Sequence, residues 1–253
     1  MEKIMTEMGW EDLVLPEKTL EALKEIESGM KLNNNLFTDW QMKSNLKSGK
    51  RLLFYGPPGT GKTLTAALLG KNTGRDVFKI NLSTVISKYI GETEKNLDKL
   101  FKMVEDKPWI LFFDEADALF GKRIGVSDAH DRYANQEIAY FLKKTENYPG
   151  VVILSSNSKS KMNSTFLKRF QSVIHFQKPH EKERYSLWKK YFSASLETDH
   201  DLSFRDVAKK YKITGGNIVN AIRNARLKAT EMNSKKIKKE YLIDAIKKEM
   251  MKT

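Results

Sequence analysis

Arg51-Leu-Leu-Phe-Tyr55-Gly56-Pro57-Pro58-Gly59-Thr60-Gly61-Lys62-Thr63-Leu64 is the stretch from which the rest of this chain can be read. A strand-length apolar run, Arg51–Tyr55, enters a loop of the form G-x-x-x-x-G-K-[ST], and a helical pattern, Thr63–Lys71, leaves it. Strand, glycine-rich loop and helix in that order are the context in which such a loop cradles phosphate. Glycines let successive backbone N–H groups curl around phosphate oxygens, and the helix N-terminus adds partial positive charge. Lys62 would reach the β- and γ-phosphates, and Thr63 would offer its hydroxyl to Mg²⁺. Gly56 through Leu64 are therefore the candidate nucleotide-binding residues.

Fifty residues on, Ile110-Leu-Phe-Phe-Asp114-Glu115-Ala-Asp117 sets carboxylates at the end of an apolar run. An acid there needs a cation, and Mg²⁺ beside Thr63 supplies one, with Asp114 ordering the metal shell. Glu115 points elsewhere and could polarise a water that attacks the γ-phosphate, which argues for hydrolysis. Further strand-like runs occur at Asp76–Ile80, Trp109–Phe113, Val151–Ser155 and Val173–Phe176, with helical patterns at Thr93–Val104 and Asn135–Thr145 between them. Successive apolar residues within the runs suit strands buried on both faces, and the alternation predicts an α/β fold with a mostly parallel sheet. After Pro179 only helical patterns follow: Glu181–Phe192, Phe204–Tyr211, Asn217–Met232 and Lys238–Met250. The expected division is an αβα nucleotide-binding domain over 1–178 and a small all-helical domain over 179–253.

The composition excludes several classes. The chain has 253 residues and no cysteine, and its four histidines lack zinc spacing, so disulfide, thiolate and zinc chemistry are not expected. No apolar run approaches the roughly 18–20 residues of a membrane span, and the first residues lack a signal-peptide layout; a cytoplasmic protein is the expectation. The net charge of +13 invites a nucleic-acid reading, and from Arg205 onward 14 Lys/Arg stand against 5 Asp/Glu. Long basic side chains on solvated helices read equally well, and composition does not choose.

These motifs resemble the AAA+ ATPase superfamily, specifically the AAA clade that includes katanin and spastin, over nearly the whole chain from Trp10-Glu-Asp-Leu-Val-Leu-Pro16 onward. Phe120-Gly-Lys-Arg with Asp128-Ala-His-Asp-Arg-Tyr-Ala-Asn135 is similar to bacterial single-domain AAA proteins, some of which accompany contractile injection systems. The resemblance implies a P-loop NTPase αβα sandwich with a five-stranded parallel sheet and a helical lid. It also implies a homo-oligomeric ring, usually a hexamer, with ATP between neighbours. By the same resemblance Asn157 would be the sensor that holds the attacking water or the γ-phosphate. Arg169, in Phe166-Leu-Lys-Arg169-Phe170, would be the arginine finger reaching a neighbouring subunit, with Lys168 and Arg132 as weaker candidates. Gly216 would pack near adenine, Val14 would lie by the base, and Asn81 would partner the catalytic Glu115.

Ser87-Lys88-Tyr89-Ile90-Gly91-Glu92 occupies the position of the clade's central pore loop, whose aromatic residue grips polypeptide. A tyrosine ring wedges against many side chains without demanding one. Gly125–Arg132 is the candidate second pore loop. Three functions stand open: a protein remodeller gripping its substrate by Lys88, Tyr89, Ile90 and Gly91, recruited by this ring or an adaptor; a nucleic-acid motor using the basic lid; or a nucleotide-gated structural ring of a larger apparatus.

Overall fold

Five parallel strands form one sheet: β2 (Lys50–Tyr55), β3 (Val77–Asn81), β4 (Ile110–Asp114), β5 (Val151–Ser156) and β6 (Ser172–His175). The computed structural model describes residues 1–39, 49–87, 89, 91–120, 128–160, 162–192, 197–198, 202–234 and 236–252, with side chains described except at 33–39, 128–135 and 197–198. The strand order is β3-β4-β5-β2-β6, which interposes β5 between the strand that precedes the phosphate loop and the strand that ends in the acidic pair. Phe112 and Phe113 on β4 are both fully buried, as the uninterrupted apolar run predicts for a strand covered on both faces.

A sixth strand, β1 (Glu2–Ile4), joins the β3 edge antiparallel, with Glu2 opposite Lys79. It goes beyond the five expected strands because three residues, two of them charged, are too few to show a period. An ion pair from Lys3 to Asp76 at 2.8 Å helps hold it. Helix α1 (Glu17–Asp39) is also absent from the sequence reading, though Leu23, Ile26 and Met30 bury one stripe of it. The other helices of this unit are α2 (Lys62–Thr73), α3 (Glu92–Met103), α4 (Asp128–Asn147) and the single turn α5 (Ser164–Leu167), which is N-capped by Asn163. Leu97, Leu100 and Phe101 of α3 pack with Phe113, Phe141 and Tyr148, and the Phe113 and Phe141 rings meet edge to face at 5.1 Å.

The chain divides into two compact units. One comprises Met1–Trp10, Lys18–Gly56 and Lys62–His175; the other comprises Glu11–Glu17, Pro57–Gly61 and Phe176–Thr253. The second unit is built on α6 (Glu181–Tyr191), α7 (Phe204–Lys210), α8 (Gly215–Glu231) and α9 (Lys239–Met250). A two-residue parallel bridge, β7 (Glu197–Thr198) with β8 (Lys236–Ile237), is added to the expected all-helical pattern. Trp188, Ile218, Ala221, Ile222, Ala225, Leu242 and Ile246 form its core.

A capping box of Thr214 and Asn217 starts α8. Glu249 of α9 is 2% exposed and binds this helix start, accepting from Asn220 Nδ2 at 3.2 Å and Asn217 Nδ2 at 3.4 Å. The Lys252 ammonium at 2.6 Å holds the Glu249 carboxyl below its ordinary value, against the opposing push of burial. A folded pKa below the unfolded one adds stability that is complete above about pH 4.3 and lost as pH falls through the folded value. Glu249→Gln is therefore expected to cost this unit about 1–2 kcal/mol at pH 7. In denaturant melts from pH 7 to pH 3 the gap to wild type should narrow below about pH 4. A gap independent of pH would show that the charge is not what matters.

Candidate functional site

Parallel strands place their C-terminal ends along one sheet edge, where open α/β sheets bind ligands. Here β4 ends in Asp114, β2 and β5 are followed by Gly56 and Asn157, and Gly56 N–H bonds the Ser156 carbonyl at 3.1 Å. Lys62, the first residue of α2, is 8% exposed and donates to the Gly56 carbonyl at 2.5 Å. Burial pushes its ammonium below its ordinary pKa, while the charges of Asp114 and Asp117 push it back up. Thr63 and Leu64 follow half-buried in the first turn of α2.

At the end of β4, Asp114 pairs with Lys79 Nζ of β3 at 3.0 Å and accepts the Glu115 N–H at 3.0 Å. Burial pushes the Asp114 carboxyl up, yet Lys79 and the Glu115 amide hold it below its ordinary value, so it is ionised at neutral pH. An ionised carboxylate and the Thr63 hydroxyl form a hard-oxygen donor set that fits Mg²⁺, an ion that keeps several waters and takes substrate phosphates as further ligands. Among the described residues there is no cluster of three metal-ligating His, Cys, Asp or Glu. Glu115 takes φ 56°, a left-handed backbone, and its side chain is exposed. That conformation costs a non-glycine residue roughly 1–2 kcal/mol.

Asp117, to which the sequence reading gave no role, accepts both the Ser156 hydroxyl and the Asn157 N–H at 2.9 Å. The third acid of the Asp114-Glu115-Ala-Asp117 run was the available signal. Asn81 accepts the Ser83 N–H at 2.9 Å and the Ser83 hydroxyl at 2.7 Å through its side-chain oxygen, which caps the turn at Leu82–Thr84.

Pro57–Gly61 belong to the second unit, as do Val14 and Gly216. Gly59 takes φ +73°, and a Cβ there would stand 2.7 Å from Thr214 Oγ1 and 3.3 Å from the Gly216 Cα, so glycine is required. Gly216 N–H donates to the Gly59 carbonyl at 2.8 Å, and Thr60 Oγ1 donates to the Pro57 carbonyl at 2.8 Å. Val14 packs half-buried against the helical core.

Tyr89 is 72% exposed. Its N–H donates to Ser87 Oγ at 3.1 Å, Ser87 Oγ donates to Glu92 at 2.5 Å, and Ser87 N–H donates to the buried Thr93 hydroxyl at 3.0 Å. Gly91 follows with φ +77° and opens α3. Lys88 and Ile90 lie outside the described residues, as do 125–127 and the side chains of 128–132, His130 and Arg132 included. Arg169, half-exposed, pairs with Glu146 at 2.9 Å; its neighbour Lys168 is exposed. No helix among the described residues is long and apolar enough to cross a membrane.

Residues 52–178 match the family described as "ATPase family associated with various cellular activities (AAA)". Cell division protein C of Sulfolobus acidocaldarius is 30% identical over 248 residues, 94% of this chain and 64% of that protein. Peroxisomal ATPase PEX6 of Candida glabrata is 30% identical over 203 residues, 77% of this chain and 20% of that protein. ATP-dependent zinc metalloprotease FtsH 2 of Thermoanaerobacter sp. is 29% identical over 238 residues, 91% of this chain and 46% of that protein. The chain thus spans less than two thirds of the length of each of these relatives. With the family's pattern covering half of its residues, and the phosphate loop and acidic strand end within that span, this chain belongs to the AAA family of ATPases and carries an ATP-hydrolysing module.

Proposed function

We propose that this chain is an ATP- and Mg²⁺-dependent protein remodeller that assembles as a hexameric homo-oligomeric ring and grips an extended polypeptide with Tyr89. The observation that carries this reading is a large aromatic side chain, 72% exposed, on a loop tied down by Ser87, Glu92 and Thr93. A tyrosine ring pairs an apolar body with a polar tip, so once presented to solvent it can wedge against many side chains without demanding one. A relative whose name makes it a protease supports polypeptide as the substrate class.

In this reading Gly56, Pro57, Pro58, Gly59, Thr60 and Gly61 wrap the phosphates with backbone N–H groups, and Lys62 gives its ammonium to the β- and γ-phosphates. Thr63 and Asp114 would hold Mg²⁺, which when bound neutralises phosphate charge. Leu64, Val14 and Gly216 face the nucleoside end, with residues 179–253 as the helical lid. Glu115 takes the proton of the attacking water, oriented by the Asn81 amide, and Asn157 fixes that water or the γ-phosphate. Asp117, by accepting the Asn157 N–H, keeps Asn157 in place. Arg169 acts in trans on the charge developing at a neighbour's γ-phosphate.

Lys62→Ala should abolish ATP binding in an equilibrium titration. Glu115→Gln should bind ATP while turnover falls by at least about a hundredfold; normal turnover would remove Glu115 from the mechanism. Asp117→Ala, which leaves the Asn157 amide without its acceptor, should lower turnover roughly tenfold with ATP binding retained.

The substrate class is tested by trapping. Glu115→Gln protein loaded with ATP is recovered from its native extract, and what stays bound is identified. A defined polypeptide, lost when Tyr89→Ala is added, is the expected result. Nuclease-sensitive nucleic acid in its place would refute the remodeller and turn attention to the basic residues after Arg205.

A further inference from the structure

Among the described residues, Glu146 is the partner of the Arg169 side chain. Arg169 Nη1 donates to Glu146 Oε1 at 2.9 Å, with the arginine side chain 51% exposed and the glutamate 25% exposed. The backbone beneath it is fixed independently. Phe166 and Phe170, both buried, bracket the arginine in sequence, their rings meeting at a tilt with centroids 5.1 Å apart, and Arg169 N–H bonds the Phe166 carbonyl at 3.1 Å. From β2, Arg51 Nε donates to the Arg169 carbonyl at 2.9 Å. Arg51 also exchanges backbone contacts with Gln171, giving its N–H to Gln171 Oε1 at 2.6 Å and taking the Gln171 N–H on its carbonyl at 2.9 Å. With the Cα anchored on both sides, the remaining freedom of Arg169 is in its side chain, and Glu146 restricts it.

Stability does not account for this pair. An ion pair with this much exposure adds little to folding. Glu146 also lies in the last turn of α4, where the helix end carries partial negative charge and a carboxylate is disfavoured. What the contact does provide is orientation. A guanidinium is a planar fork of five donors on a long stem with many rotamers, and one fixed N–H···O bond sets the plane of the fork. Donors that act on developing charge are most effective when aimed beforehand, because no reorganisation is then needed during reaction.

We infer that Glu146 is a positioning residue for Arg169: its carboxylate pre-aims the guanidinium that stabilises charge at the neighbouring subunit's γ-phosphate. The inference rests on the reading of Arg169 as the residue that acts in trans.

The test uses the full chain under conditions of ring assembly. Glu146→Gln removes the charge and keeps the shape; it is expected to lower kcat for ATP three- to tenfold with KM within twofold of wild type. Affinity for ADP–aluminium fluoride, which mimics the transferring phosphoryl group, should fall by the same factor while ADP affinity is unchanged. Glu146→Asp should retain part of the effect. Unchanged or raised kcat in Glu146→Gln overturns the inference, as does a fall in kcat that tracks a lower melting temperature or lost assembly, which would make Glu146 structural. Arg169→Ala separates the two levels. If it abolishes turnover while Glu146→Gln does nothing, only the positioning role fails. If Arg169→Ala itself turns over normally, the trans reading of Arg169 falls, and the role of Glu146 falls with it.

Discussion

Parallel pairing of β5 between β2 and β4 is the constraint on which the larger unit depends. It brings the ends of three strands to one edge of a sheet whose central strands are lined by buried apolar residues such as Leu52, Leu53, Phe112, Phe113, Ile153 and Leu154. Parallel strands must be covered on both faces, so the same residues that bury the sheet leave its C-terminal edge as the place where polar groups can emerge. Gly56, Asp114 and Asn157 emerge there. Their neighbours hold them: Ser156 takes the Gly56 amide, Lys79 takes the Asp114 carboxylate, and Asp117 takes the Asn157 amide.

Charge at this edge is balanced over short distances. Lys62 is buried enough to lose affinity for its proton, and Asp114 and Asp117 restore part of it. Asp114 in turn is kept ionised by Lys79. Buried charges persist in a fold when opposite charges and hydrogen bonds compensate their lost hydration. An array of both signs lets a region handle phosphate and metal without depending on either for its integrity.

How much of this was legible in the sequence follows from how local each signal is. The phosphate loop, the acidic strand end and the alternation of strands with helices are contiguous patterns, and the observed elements agree with their expected positions to within a few residues outside α4, whose start lies seven residues earlier than expected. The β1 strand is too short to carry a period. Helix α1 did carry one, in Leu23, Ile26 and Met30, and that stripe was the missed signal. Contacts such as Lys79 with Asp114, Asp117 with Asn157 and Glu146 with Arg169 join residues 23 to 40 positions apart on different elements. Those depend on strand register and helix placement, which no spacing rule encodes. The roles carried by resemblance, such as those of Gly216 and Val14, likewise had no local pattern to support them.

The left-handed backbone at Glu115 has a consequence for how this chain tolerates change. Glutamate is a poor choice for that conformation, whereas asparagine adopts it readily because its short amide bonds the local backbone. Judged by the fold alone, position 115 is mis-assigned, and random drift filtered for stability would replace it. With Glu115 in its proposed role, chemistry and folding pull in opposite directions at one residue, as is common where proteins give up stability for activity. Under the role proposed for Glu115, selection of this chain for thermal resistance alone is therefore a route to inactive protein, with position 115 among the first to be lost.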